Sequence, residues 1–160
     1  MSKRGLKAAK AYGNKLNDFK NVSEAKEFFF YYKDCLLNRL ESICLNNDIF
    51  TADYSVGSLS ILEKWYFELY EKKEFGSIGS TREEFEKMLD IYFGEVAVKN
   101  SINTQWIVRE YPFAEGKYEF LINKEFMSIN AIGMFQNLCI RQGNKKRNLM
   151  LREYNKYFNR

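Results

Sequence analysis

The sequence predicts an α+β fold: about five helices packed around a small antiparallel sheet of two or three strands. Three observations carry this. Apolar residues recur at spacings of three and four through residues 21–48, 58–75 and 81–100, the period of a helix with one buried face. The pattern then changes: "TQWIVREYPF" (104–113) and "KYEFLIN" (117–123) are rich in aromatic and β-branched residues and are separated by "AEG", a hairpin signal. Finally, 46% hydrophobic and 17% aromatic residues in a 160-residue chain supply enough apolar surface for a sizeable core. No internal repeat or low-complexity linker interrupts the chain, so the expectation is a single domain over 1–160.

Each element has a local reason. Residues 1–20 are basic and broken by Gly5 and Gly13, which predicts a loosely packed N-terminal arm or short helix. In "NVSEAKEFFFYYKDCLLNRLESICLNND" (21–48), Ser23 is the predicted cap, with Glu24 and Glu27 in the first turn. Phe29, Tyr32, Leu36, Leu40 and Ile43 form its apolar face, and Asn46, Asn47 and Asp48 stop it. "FFFYY" (28–32) covers every side of this helix, so some of its rings must face outward. Ser58 is the predicted cap of the next helix, with Leu59, Leu62, Trp65, Tyr66 and Leu69 inward. "GSIGS" (76–80) is a turn, and Ser80 or Thr81 followed by Glu83 and Glu84 opens a third helix ending near Asn100. Pro112 keeps Tyr111 extended and limits pairing beyond it. "EFMSINAI" offers a third strand, and "GMFQNLCIRQGN" a helix stopped by Gly143. "KKRNLMLREYNKYFNR" is a final helix with Met150, Tyr154, Tyr157 and Phe158 inward.

Composition excludes much chemistry. The chain has no histidine, so Ser–His and Cys–His nucleophile pairs and histidine-ligated metal sites cannot form. Cys35, Cys44 and Cys139 show no metal-ligand spacing and read as reduced core thiols. No cofactor, metal or catalytic residue is expected. No apolar run approaches the ~18–20 residues needed to span a bilayer. The basic start is not followed by the apolar segment of a secretory signal, which implies a cytoplasmic location and no membrane.

The net charge of +4 is unevenly spread. Residues 49–116 hold seven Lys/Arg against twelve Asp/Glu, whereas 117–160 hold nine against three. The basic end concentrates in Lys145, Lys146, Arg147, Arg152, Lys156 and Arg160. With Tyr154 and Tyr157 interleaved, this helix could bind an acidic protein or stack on nucleic-acid bases.

One residue breaks the apolar pattern of the third helix. Phe85, Met88, Leu89, Ile91, Tyr92, Val96 and Val98 fall on one broad arc, and Glu95 projects between Ile91 and Tyr92. A carboxylate placed inward must be paired, because leaving it unpaired costs several kcal/mol. Lys99, one turn later, and Arg109, on the following strand, are the predicted partners. Gly94 would let that strand or another helix approach closely. The alternative is that Glu95, Trp106, Arg109 and Tyr92 line a pocket for a ligand or partner.

The phrases "SLSILEKWYFELYEKKEF", "YFGEVAVKN", Trp106, "EYPFAEGKYEF" and "NKKRNLMLREYNKYF", taken in order, resemble a family of small uncharacterised proteins from Gram-positive bacteria. The resemblance covers residues 54–158 and leaves the N-terminal third, with its aromatic helix, as a variable addition. Some proteins with a similar "GEV…W" element look like immunity proteins that neutralise a toxin, and the resemblance carries no catalytic residue. The functional expectation is therefore a non-enzymatic protein-interaction module, immunity-like in kind. Its alternatives are nucleic-acid binding through the basic C-terminal helix and small-ligand binding around Glu95 and Trp106.

Overall fold

The computed structural model describes residues 2–142 and 147–159, with residues 141 and 142 described by backbone alone. Among these residues the chain forms six helices and one three-stranded antiparallel sheet, an α+β fold with one helix more than expected. The helices are α1 (Lys3–Gly13), α2 (Val22–Leu45), α3 (Ser58–Lys72), α4 (Arg82–Asn100), α5 (Met134–Gln142) and α6 (Leu149–Tyr157). The strands are β1 (Thr104–Glu110), β2 (Tyr118–Lys124) and β3 (Met127–Asn130), in that order across the sheet.

Local chemistry explains most boundaries. Asn21, not Ser23, caps α2: its side chain accepts from the Glu24 N–H at 2.9 Å, and Glu24 reaches back to the Lys20 N–H at 2.7 Å. Ser58 lies inside α3 rather than capping it; it is buried, and its hydroxyl donates to the Ser55 carbonyl at 2.6 Å. Thr81 is the cap of α4, accepting from the Glu84 N–H at 3.1 Å. Cys35 is exposed, whereas Cys44 and Cys139 are half-buried and pack against the core, so only Cys35 departs from the predicted core position.

Helix α4 is the hub, touching α2, α3, α5, α6, β1 and β2. Its burial therefore extends beyond the predicted arc. Phe93 and Ala97 are buried as well, as are the charged Glu86 and Asp90, while Val98 is only half-buried. The β1–β2 register pairs Trp106 with Ile122 and Val108 with Phe120, placing these four on one buried sheet face. At Gly94 that face comes into near contact with α4. A Cβ there would lie 2.1 Å from Cη2 and 2.3 Å from Cζ2 of Trp106. Trp106 in turn stacks on Phe120 with ring centres 4.4 Å apart, and Phe120 stacks on Phe29 of α2 at 5.3 Å. One column of rings thus joins α4, both long strands and α2.

The two C-terminal helices are held at their N-termini by buried carboxylates from other helices. Asp90 of α4 accepts the N–H groups of Gly133 and Phe135, each at 2.8 Å. Gly133 has φ +77°, a conformation that favours glycine. Glu63 of α3 accepts the Leu149 N–H at 2.8 Å to both of its oxygens. Helix α6 has no side-chain cap of its own, so Glu63 serves in place of one. Glu86 completes the set, accepting from the Tyr66 hydroxyl at 2.7 Å and from the Gln136 amide.

Two predictions follow from this packing. Gly94→Ala adds helix propensity but drives a methyl into the Trp106 ring. The clash dominates, so the variant should lose about 2–3 kcal/mol and roughly 5–10 °C in Tm, with altered tryptophan fluorescence. An unchanged melting curve would contradict the close approach. The second concerns pH. Burial pushes the Asp90 carboxyl up to about 7 against the pull of its two N–H donors, and pushes Glu63 up to about 6. A carboxyl with a raised native value binds its proton more tightly when folded. Its contribution to stability is full below the unfolded value near 4 and is lost as pH rises through the folded value. Asp90→Asn should therefore gain Tm relative to the parent chain as pH is raised from about 5 to about 8. A pH-independent difference would show that Asp90 does not titrate in this window.

Candidate functional site

The carboxylate singled out in the sequence is fully engaged. The Trp106 indole N–H donates to Glu95 Oε2 at 2.9 Å. Lys99 Nζ lies 3.8 Å from Oε1, the predicted one-turn pair, and Lys33 Nζ of α2 lies 3.7 Å from Oε2. Lys33 was not foreseen, because its approach depends on how α2 crosses α4. Arg109 pairs instead with Glu119 at 3.3 Å, directly across the β1–β2 ladder. Tyr92 is buried, and its hydroxyl shares a 2.7 Å hydrogen bond with Ser58 and accepts from the Tyr54 N–H at 3.0 Å. Burial pushes that hydroxyl up to about 12. The structure thus brings Glu95 and Trp106 together and bonds Arg109 and Tyr92 elsewhere.

The predicted basic patch is only partly in view. Lys145, Lys146 and Arg160 lie outside the described residues, whereas Arg147, Arg152 and Lys156 are exposed. Tyr154 is buried in the core and Tyr157 is half-buried, with Lys156 Nζ 4.5 Å from the centre of its ring. The surface of α6 therefore presents charge more than stacking rings.

A cleft that the sequence did not reveal lies on the other side of the ring column. It encloses about 380 Å³ between α1, α2, α4, the start of β2 and the end of β3 with the loop that follows. This lies within the roughly 300–1,000 Å³ typical of ligand sites. Phe28, Phe29 and Tyr32 of α2 and Tyr118 and Phe120 of β2 supply its aromatic walls. Phe29 is fixed by its stack on Phe120, and Phe28 meets Phe29 edge-on at 5.3 Å. At the mouth, Phe28 and Ile132 are each 42% exposed.

Helix α1 closes one side. Its Gly13 packs beneath the Tyr111 ring, the Tyr111 hydroxyl donates to the Ala9 carbonyl at 3.1 Å, and Lys117 Nζ donates to the Leu16 carbonyl at 2.9 Å. This docking brings Tyr12, Lys15 and Leu16 to the cleft. The Tyr12 hydroxyl donates to Glu119 at 3.2 Å and receives the Asn130 amide. Burial and Glu119 together push that hydroxyl up to about 12. The carboxylate in the cleft wall is thus held between Arg109 and Tyr12. The arrangement suits binding of an apolar group. Among the described residues, no cluster of Cys, Asp and Glu could hold a metal ion, and no helix is long and apolar enough to cross a membrane. The one local hint of this cleft was "FFFYY", whose outward rings include Phe28 and Tyr31.

The family described as "Uncharacterised protein YwmA" matches residues 18–158. The chain is 26% identical over 132 residues to the uncharacterized protein YwmA of Bacillus subtilis (strain 168), spanning 82% of this chain and 83% of that relative. No solved structure matches the chain. The family match corrects the extent read from sequence: it reaches back from residue 54 to residue 18, so α2 is part of the shared fold and not a variable addition. Residues 1–17, including α1, lie outside it. With the hub helix, the ring column and the whole sheet inside the matched region, the chain belongs to the YwmA family of Gram-positive bacteria.

Proposed function

We propose that this chain is a non-enzymatic protein-interaction module of the bacterial cytoplasm, in the manner of toxin-neutralising immunity proteins. The observation that supports it best is the aromatic cleft with an apolar mouth. Phe28 and Ile132 flank the opening, and Tyr31, one turn from Phe28 on α2, is 73% exposed. Large rings left in water beside a preformed cavity fit the pattern of interface anchors, where a few buried aromatic contacts carry most of the binding energy. Glu95 belongs to the scaffold in this reading: its indole donor and two lysines leave it a tie between α4, β1 and α2.

The test is capture of companions from native extract by the tagged protein, with nuclease present. A stoichiometric protein should be held by the parent chain and by Ile61→Glu and Ile102→Glu, which alter exposed apolar residues outside the cleft. Phe28→Glu and Ile132→Glu should reduce capture by about tenfold or more. Undiminished capture by folded cleft variants would exclude this face, and loss of every companion on nuclease treatment would favour nucleic acid. Glu95→Gln should retain capture and cost about 1–2 kcal/mol, since it keeps an oxygen for Trp106, Lys33 keeps Asp34 at 2.9 Å, and Lys99 is half exposed. Lost capture at unchanged stability would move the site to Glu95 and Trp106.

A further inference from the structure

The charges around the cleft do not cancel. Glu119 is answered by Arg109 at 3.3 Å, and Asp18, beside the cleft, by Lys117 at 2.8 Å. Lys15 and Lys87 line the same cleft, and among the described residues neither has an ion-pair partner. A separate basic surface lies on the face of α1 turned away from Tyr12 and the cleft. Lys3, Lys7 and Lys10 stand at successive turns and line one shallow groove with Leu6. Residues 1–17 hold five Lys/Arg and no Asp or Glu. Like charges one turn apart slightly destabilise a helix, and α1 has no acidic neighbour on its own turns to relieve them. From the surplus in the cleft we infer that its occupant is an acidic protein segment: an aromatic or aliphatic side chain enters between Phe28 and Tyr118, and flanking carboxylates meet Lys15 and Lys87. This inference rests on the cleft being the interaction site.

Two other polyanions fit less well. The inner side of α1 is occupied by its docking on Tyr111, which leaves Leu6 as its outward large apolar residue, too little for a bilayer surface. Nucleic acid would need free polar groups to read a base edge, yet Tyr12, Asn130 and Glu119 are bonded to one another. The acidic preference originates partly outside the family match, since Lys15 lies within residues 1–17. The matched region supplies the aromatic walls and Lys87, and the segment before it supplies Lys15.

The experiment is an NMR titration of the full chain with three short peptides, each carrying one central phenylalanine flanked by glutamates, by serines or by lysines. Amide shifts at residues 28–32 and 118–120 report occupation of the cleft. The glutamate peptide should bind about tenfold more tightly than the serine peptide at low salt, the lysine peptide should bind weakest, and the preference should shrink at high salt. The double variant Lys15→Glu/Lys87→Glu should reverse the order, while Lys64→Glu, at an exposed position of α3 outside the cleft, should not; both cleft lysines are exposed, so the fold should persist. Equal affinity for the glutamate and serine peptides would overturn the acidic inference and leave the cleft standing. A stronger lysine peptide, or tighter binding of an oligothymidine strand, would overturn it too. Cleft amides unmoved by every peptide would overturn the interaction site itself.

Discussion

The structure depends on how closely β1 can approach α4. Any side chain at residue 94 would occupy the space of the Trp106 ring, so the absence of a Cβ sets the distance between the hub helix and the sheet. That distance lets the indole N–H reach Glu95 and lets the ring lie flat on Phe120. Phe120 then fixes Phe29, and Phe29 is a wall of the cleft. A single packing constraint is thereby transmitted from the hub to the candidate interface through rigid ring contacts. Such a column resists small displacements because close-packed interiors have no slack to absorb them.

A second constraint comes from buried carboxylates. Placing Asp90, Glu63 and Glu86 in the interior is unfavourable in itself, and each is offset by donors that would otherwise be orphaned or unfixed. Asp90 holds the backbone at Gly133 and Phe135, immediately after Ile132 at the mouth of the cleft. The same group that secures α5 therefore positions part of the site. The raised values of Asp90 and Glu63 follow from burial outweighing those hydrogen bonds.

The two ends of the molecule relate differently to the family. Residues 18–158 contain the hub, the ring column and the tertiary caps, whereas α1 precedes the match and reaches the rest through Tyr12, Tyr111 and Lys117. Helix α1 therefore walls one edge of the cleft from outside the matched residues.

By itself the sequence determined the elements and several of their short-range reasons. Period and composition placed α2, α3, α4 and the β1–β2 hairpin, Thr81 announced the start of α4, and Lys99 was foreseen as the one-turn neighbour of Glu95. Gly94 beside Glu95 already pointed to a close approach. These are interactions between residues near one another in the chain, or breaks in a helical period, and both can be read in one dimension. Only the tertiary structure decided that Arg109 turns to Glu119, that Lys33 joins Glu95, that Asp90 and Glu63 face inward as caps, and that Tyr12 and Lys15 share a cleft with Phe28 and Phe120. Those pairings join residues ten or more positions apart. Their geometry is set by the crossing of helices and the register of strands, which local propensity does not encode.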